Sequence, residues 1–352
     1  MADLSIYKNK KVLVTGHTGF KGAWLTQWLL ELGANVIGYA LETTDNTKLF
    51  ELLDLKSQIT HYPDSINDLE QLKKVFINHQ PDFVFHLAAQ AIVKTSYEDP
   101  IDTFQTNIIG TANVLEAIKS VDSVKVAVLV TSDKCYKNEE TKYGFKESDA
   151  MGGDDPYSAS KACAELVVHS YRHSFFKDKM TKIVTVRAGN ILGGGDWSKD
   201  RIVVDSIAAL QENKTILLRD PSAVRPWQHV LDATFAYLLV VDYELNSNNT
   251  FVPSWNFGPS EENVLNVEGL VKLLIEYYGK GSYENIGTQT YHEANYLKLD
   301  VSLAKNQLNW TLQLDNQQII KMTVDWYKYF EETGDAKTIT MQQIQYYISS
   351  FL

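Results

Sequence analysis

The sequence predicts an α/β protein: a doubly wound parallel sheet followed by a smaller, mostly helical C-terminal lobe. Three observations carry this expectation. Short β-branched runs alternate with helix-length segments through the first 187 residues. The strand-like runs are apolar almost throughout, the pattern of strands covered on both faces. The first run leads into a glycine-rich turn at the head of a helix.

Lys11–Thr15 (KVLVT) is the first strand. Phe20, Trp24, Trp28 and Leu32 then recur every four residues and place one apolar stripe on a helix. Gly33 stops that helix, and Asn35–Ala40 (NVIGYA) is the second strand. Ile59–Tyr62 is a weaker third strand, Leu69–Ile77 an amphipathic helix and Phe83–Leu87 the fourth strand. Thr103–Ile118 reads as helix, Val124–Thr131 as a strongly apolar fifth strand, Tyr157–Phe176 as a long helix and Ile183–Arg187 as a sixth strand. Beyond Arg187 the pattern loosens. Gly193–Gly195 and Arg219–Trp227 read as loops, and helices are expected near Val230–Tyr243, Val267–Tyr278 and Gln317–Phe330. Trp255–Phe257 is a candidate to return to the sheet. The expected division is a dinucleotide-binding domain over 1–187, rejoined by segments near 228–258, and a substrate-binding lobe over 188–352.

Composition narrows the function. The 352 residues are 44% hydrophobic and 22% charged, so most of the chain is expected to fold. Lys plus Arg is 33 and Asp plus Glu is 44, a net charge of −11, which argues against nucleic acid as a partner. Cys135 and Cys163 are too few for a disulfide framework, and no Cys/His spacing points to a metal. MADLSIYKNK holds no apolar signal region, and no run approaches the roughly 18 apolar residues of a membrane span. A cytoplasmic protein without membrane attachment is expected.

The glycine turn is Gly16-His17-Thr18-Gly19-Phe20-Lys21-Gly22, spaced GxxGxxG between strand and helix. The first glycine permits a tight turn, the second lets backbone approach a pyrophosphate, and the third allows close helix–strand packing. The helix N-terminus attracts the anion. Gly16, His17, Gly19, Phe20, Lys21 and Gly22 are therefore expected at a dinucleotide. Strand two ends Ala40-Leu41-Glu42, with no Arg or Lys to meet a 2′-phosphate, which favours NAD over NADP. Glu42 fits a ribose contact or a solvated loop carboxylate. Asp64 and Ser65 follow strand three, where an adenine contact is expected, and an ordinary loop fits them as well.

Tyr157-Ser158-Ala159-Ser160-Lys161 sets a phenol and an ammonium four residues apart, on one helix face. A nearby cation stabilises phenolate and makes tyrosine a usable acid/base. Ser132 follows strand five, at the edge where open α/β sheets bind ligands.

These pieces resemble the extended short-chain dehydrogenase/reductase family, whose sheet is Rossmann-like. The likeness rests on TGHTGFKG at Thr15–Gly22, HLAAQ at His86–Gln90, TNIIGT at Thr106–Thr111, YSASK, and RAGNILGGGD at Arg187–Asp196. GHTGFKGAWL, TSDKCY at Thr131–Tyr136, GNILGGGDW and VRPWQHVLD at Val224–Asp232 are similar to the nucleotide-sugar 4,6-dehydratases of that family that act on CDP-glucose.

The resemblance implies a set of roles. Tyr157 takes the proton of the sugar C4 hydroxyl while hydride passes to NAD. Lys161 lowers the tyrosine pKa and holds the nicotinamide ribose, and Ser132 holds the C4 oxygen. Asp133 is the acid for water leaving C6 and Lys134 the base at C5, although ordinary pKa values of about 3.9 and 10.4 oppose both roles. Ala88, Ala89 and Asn107 join the cofactor site. Gln90, Asn190, Arg219 and Arg225 join the substrate, the arginines through phosphate. His86 is a structural strand-end histidine, His17 crowds the pyrophosphate, and both cysteines pack in the interior. Trp197 and Trp227 are either stacking platforms or core. The family further implies a homodimer. Other enzymes of the family, namely 4-epimerases and dTDP- or GDP-linked dehydratases, fit the same residues, and a non-enzymatic NAD(P)-sensing protein is the remote alternative.

Overall fold

The computed structural model describes residues 3–138, 143–246, 248, 250–259, 265–287 and 297–352. Strands β1 (Lys11–Thr15), β2 (Asn35–Ala40), β3 (Thr60–Pro63), β4 (Phe83–His86), β5 (Val126–Val130) and β6 (Lys182–Ala188) form one sheet with a seventh strand, Ser254–Phe257. Running from that strand the order is β6, β5, β4, β1, β2, β3, and every pairing is parallel. Chain order reverses between β1 and β4, where ligands of doubly wound sheets bind. Thr15 lies level with Tyr39 on one side and His86 on the other, so the loops after β1, β2 and β4 leave the sheet together.

Alternation divides the core by face. Val12 and Val14 join a large cluster with Trp24, Trp28, Leu231 and Trp255, while Leu13 joins a second one with Leu72, Phe76, Leu115 and Val168. Helix α1 (Phe20–Glu31) is buried on nearly all sides, because the Val230–Leu245 and Ala336–Phe351 helices cover it away from the sheet. Trp28 stacks on Phe235 and meets Tyr347 edge-on.

Several expectations change in detail. β3 runs Thr60–Pro63 and is half-exposed, as an edge strand that tolerates proline is. The Thr103–Ile118 helix begins at Pro100, capped by Asp99, and contains a π-helical turn over Gln105–Ile109 before continuing as Gly110–Lys119. Arg219–Trp227 is not wholly loop: Val224–Arg225 pairs antiparallel with Leu265–Asn266. Helices Ile202–Gln211 and Ala336–Phe351 went unread in the sequence. The first is a short apolar run without a clear period. The second has its apolar residues diluted by Thr, Gln and Ser.

Candidate active site

The turn after β1 shows why each glycine is there. Gly16 has φ +73°, and a Cβ on it would lie 2.5 Å from the Ala88 amide nitrogen. A Cβ on Gly22 would overlap the Gly16 carbonyl oxygen. Gly19 differs: a Cβ there would meet only Gly16 O at 3.4 Å, so its face is open, and no side chain caps the helix it starts. A tight turn, an open middle glycine and an uncapped helix head fit a diphosphate.

Phe20 is buried and Lys21 half-buried. Burial, with Lys161 and Arg201 nearby, lowers the Lys21 ammonium to about 7. His17 is placed otherwise than expected. Its ring is buried over Gly38, which leaves room for it by lacking a side chain. Its Nε2 lies 2.8 Å from His61 Nδ1 and Phe50 meets it edge-on, so its bulk faces the interior rather than the mouth of the turn. Burial and His61 lower it to about 3.

At β4 the buried His86 pairs through Nδ1 with Thr15 Oγ1 (2.7 Å) and through Nε2 with Thr111 Oγ1 (3.2 Å). Thr15 Oγ1 also accepts from the Ala88 amide at 3.3 Å. His86 therefore ties β1, β4 and a helix together, a structural arrangement. Ala88 and Ala89 follow it, half-buried beside the glycine turn. Ser65 sits past β3, its Oγ accepting from Asn67 N at 3.2 Å and its carbonyl from the Tyr39 hydroxyl at 3.1 Å.

Asn107 lies inside the π-helical turn. It accepts from Gln90 N (2.9 Å) and donates to Gln90 O (3.0 Å) and Ser160 Oγ (2.8 Å). Ser160 Oγ donates in turn to Tyr157 O at 2.6 Å. The extra residue of a π turn re-aims one side chain, here onto the start of the Tyr157 helix. Gln90 is absorbed locally: its amide oxygen accepts from Ile92 N (2.5 Å) and its Nε2 donates to Thr103 Oγ1 (2.9 Å).

The helix Pro156–Phe175 starts sharply because Asp155 caps Ser158 N at 2.9 Å and Pro156 occupies its first position. That fixes Tyr157 in the first turn of a helix that packs on the Asp133–Cys135 turn, with Ser132 near enough for its hydroxyl to favour ionisation of the phenol. Ser132 Oγ also donates to Asp133 Oδ1 (3.0 Å) and accepts from Lys134 N (3.2 Å). Burial pushes Tyr157 up to about 12, which the spacing argument for a lowered phenol did not anticipate. Lys161 Nζ reaches Val130 O at 3.4 Å, and burial holds it down at about 8.

Asp133 is 3% exposed, and its Oδ2 has no hydrogen-bond partner among the described residues. Burial raises its pKa, against Lys134, Ser132 and Arg225. A buried orphan oxygen costs free energy unless something completes it. Lys134 beside it is half-buried.

Arg225 lies within electrostatic reach of Asp133, and its Nη1 donates to Val224 O at 3.0 Å. Asn190 accepts through its carbonyl from Gln228 N at 3.0 Å. Arg219 lies apart, exposed on the rim and 3.6 Å from Asp200. Arg201 was missed: it pairs with Asp196 at 3.1 Å and its charge reaches both Tyr157 and Lys21. The only sequence signal was an arginine six residues past the glycine run that ends at Gly195. Trp197 packs on Trp326, Tyr327 and Phe330, and Trp227 is buried with Nε1 donating to Leu265 O at 3.0 Å, so both serve packing. Cys135 is buried and Cys163 partly so.

A parallel doubly wound sheet with this turn and a Ser–Tyr–Lys set at its edge defines the extended short-chain dehydrogenase/reductase class. More narrowly, residues 13–323 match the family model described as GDP-mannose 4,6 dehydratase, and the chain belongs to that family. It is 40% identical over 99% of both chains to a CDP-glucose 4,6-dehydratase of Salmonella typhimurium. It is 27% identical to a dTDP-glucose 4,6-dehydratase of Xanthomonas campestris pv. campestris, over 90% of this chain and 92% of that one. Among solved structures, it is similar to a UDP-glucose 4-epimerase of Thermotoga maritima (TM-score 0.77, 25% identity, 91% and 99% of the chains covered). It also shares its fold with the dTDP-glucose 4,6-dehydratase DesIV of Streptomyces venezuelae, solved with NAD and TYD (TM-score 0.79, 22% identity, 94% and 99% covered). No described helix is long and apolar enough to cross a membrane.

Proposed function

We propose that the protein converts CDP-D-glucose to CDP-4-dehydro-6-deoxy-D-glucose with loss of water, using NAD. The observation that carries this reading is Asp133: a buried carboxyl with one oxygen unpartnered among the described residues, beside Lys134 and bonded to Ser132, which lies near Tyr157. A 4-epimerase has no step that needs an acid and a base at C6 and C5.

Gly16, Gly19, Phe20, Lys21 and Gly22, and His17 through its backbone alone because its ring turns inward, would hold the dinucleotide with Ser65, Ala88, Ala89 and Asn107. Bound NAD supplies a hydride acceptor that is restored within each turnover. Tyr157 takes the C4 hydroxyl proton as its phenolate, a form that burial disfavours in the free protein and that a neighbouring Lys161 ammonium would favour, while Ser132 holds that oxygen. The resulting ketone acidifies C5–H, which Lys134 removes. Asp133 delivers a proton to the departing C6 hydroxyl, a role helped by the burial that raises its pKa. Arg225 and Asn190 contact the diphosphate or its ribose, joined by Arg201. Arg219 meets the nucleotide at the rim, and Gln90 acts through the loop it braces. The lobe over 188–352 supplies this grip.

We read the protein as a cytoplasmic homodimer. Support comes from the apolar residues Ile101, Ile109, Leu166 and Phe175, exposed on the helices around Pro100–Lys119 and Pro156–Phe175. Incubating the purified protein with NAD and CDP-glucose tests the reaction. Deuterium placed at C4 is expected at C6 of a 4-keto product. Recovery of a C4 epimer without loss of water overturns the reading, and a panel of dTDP-, UDP- and GDP-glucose tests the base.

A further inference from the structure

Behind the catalytic cluster lies a charged pair that the roles above leave unused. Glu165 and Arg187 are both buried. Arg187 Nε donates to Glu165 Oε1 and Arg187 Nη2 to Oε2, each at 2.8 Å, a bidentate pairing. The Thr131 hydroxyl donates to Oε1 at 2.5 Å and the Thr185 hydroxyl to Oε2 at 2.8 Å. Each carboxylate oxygen is thus doubly bonded to donors, the condition under which a buried ion pair persists.

The placement of the pair is specific. Glu165 lies one helical turn beyond Lys161, on the same face. Its partner Thr131 directly precedes Ser132, and Val130, one residue earlier, accepts from Lys161 Nζ at 3.4 Å. Two side chains four apart on one helix therefore grip two consecutive residues at the tip of β5. Arg187 Nη1 extends to the Tyr136 hydroxyl (2.6 Å) and Glu147 O (3.0 Å), and Tyr136 donates on to Asn256 Oδ1 (2.6 Å). The pair thereby holds both ends of the stretch from Thr131 to Tyr136 that carries Ser132, Asp133 and Lys134.

We propose that Glu165, locked by Arg187, is a positioning residue that keeps the Lys161 ammonium charged inside the cleft and sets the Ser132–Lys134 turn against Tyr157. The reaction named in this proposal rests on the dehydratase reading; the electrostatic part does not. Groups coupled to Lys161 by charge are Glu165 on its own helix, Cys135 after β5, His86 on β4 and Lys21 on α1, with Arg187 of β6 behind Glu165 and paired to it. Burial keeps the Tyr157 phenol, the Cys135 thiol and the His86 imidazole uncharged at neutral pH. Glu165, held low by Arg187 and two hydroxyls despite its burial, stays ionised, and its charge reaches the Lys161 ammonium and favours it.

The test is the titration of Lys161, read by competitive acetylation across pH with mass spectrometry, which needs no turnover. The wild-type midpoint is expected near 8. In Glu165→Gln it is expected to fall by about one pH unit. The double variant Glu165→Gln, Arg187→Gln leaves no lone buried charge; because the guanidinium's opposing charge goes with the carboxylate, a smaller fall is expected, and it decides the matter if the single variant does not fold. An unmoved midpoint in the folded double variant overturns the proposal. Absence of wild-type turnover on every nucleotide hexose overturns the dehydratase reading alone, and the midpoint still decides this one.

Discussion

Gly22 sits so close to Gly16 that any side chain on it would strike the Gly16 carbonyl oxygen. Gly19, midway between them, faces open space. Gly22→Ala is therefore expected to destabilise the apoprotein by about 1–3 kcal/mol through overpacking. Gly19→Ala is expected to leave the apoprotein melting temperature unchanged and to weaken NAD binding by about 10- to 100-fold, or ~1.4–2.7 kcal/mol. Scanning calorimetry and titration of NAD on the two variants check the contrast.

Tyr157→Phe removes a phenol that the Asp155-capped helix start places near Ser132. A fall in kcat of about 10²- to 10⁴-fold is expected, with NAD affinity retained, as for loss of a general acid/base. Steady-state kinetics beside cofactor titration separate the two effects.

Asp133→Asn keeps the shape and removes a buried charge. The variant is expected to melt no lower than the wild type, because Oδ2 has no partner to lose among the described residues. Product formation is expected to drop by about 10²-fold or more, since an amide cannot protonate the leaving hydroxyl. A lower melting temperature with undiminished turnover would make Asp133 a structural residue.

Asp232 supplies a pH dependence of stability. Burial raises its carboxyl to about 7, although Oδ1 accepts from Gln313 N (2.9 Å) and the Tyr347 hydroxyl (2.8 Å). The unfolded chain releases this proton near pH 4 and the folded chain near 7, so stability falls as pH rises through that window. Urea unfolding at pH 4 and pH 7 is expected to show that decline reduced in Asp232→Asn by on the order of 2–4 kcal/mol. His17, His86 and His229, lowered to about 3, act in the opposite sense in both proteins, so the difference between them isolates Asp232.

The six sheet strands of the first half were readable because each is a short apolar run framed by turn residues. The glycine turn and the Tyr157–Lys161 pair were readable because their chemistry depends on spacing along the chain. Arg201 was not, because its value comes from a fold that brings residue 201 to residues 21 and 157. His17 was misjudged for a related reason. Its ring turns inward only because Gly38 on the neighbouring strand lacks a side chain, a relation between strands that linear reading does not give. The helix at Ala336–Phe351 stayed hidden because Thr, Gln and Ser dilute its apolar residues, and Trp28 and Phe235, which meet its Tyr347, are over a hundred residues away in sequence.

The seventh strand carries a consequence for how such a protein can change. Ser254–Phe257 joins the sheet only after the chain has already left it to build much of the lobe, and the helix Val230–Leu245 packs behind β5 and α1 on the way back. A fragment ending at Arg187 would expose an unfinished sheet margin and a bare apolar face. New specificities are thus expected to arise by resculpting surface turns in place, since swapping the lobe as a cassette would tear the platform beneath it.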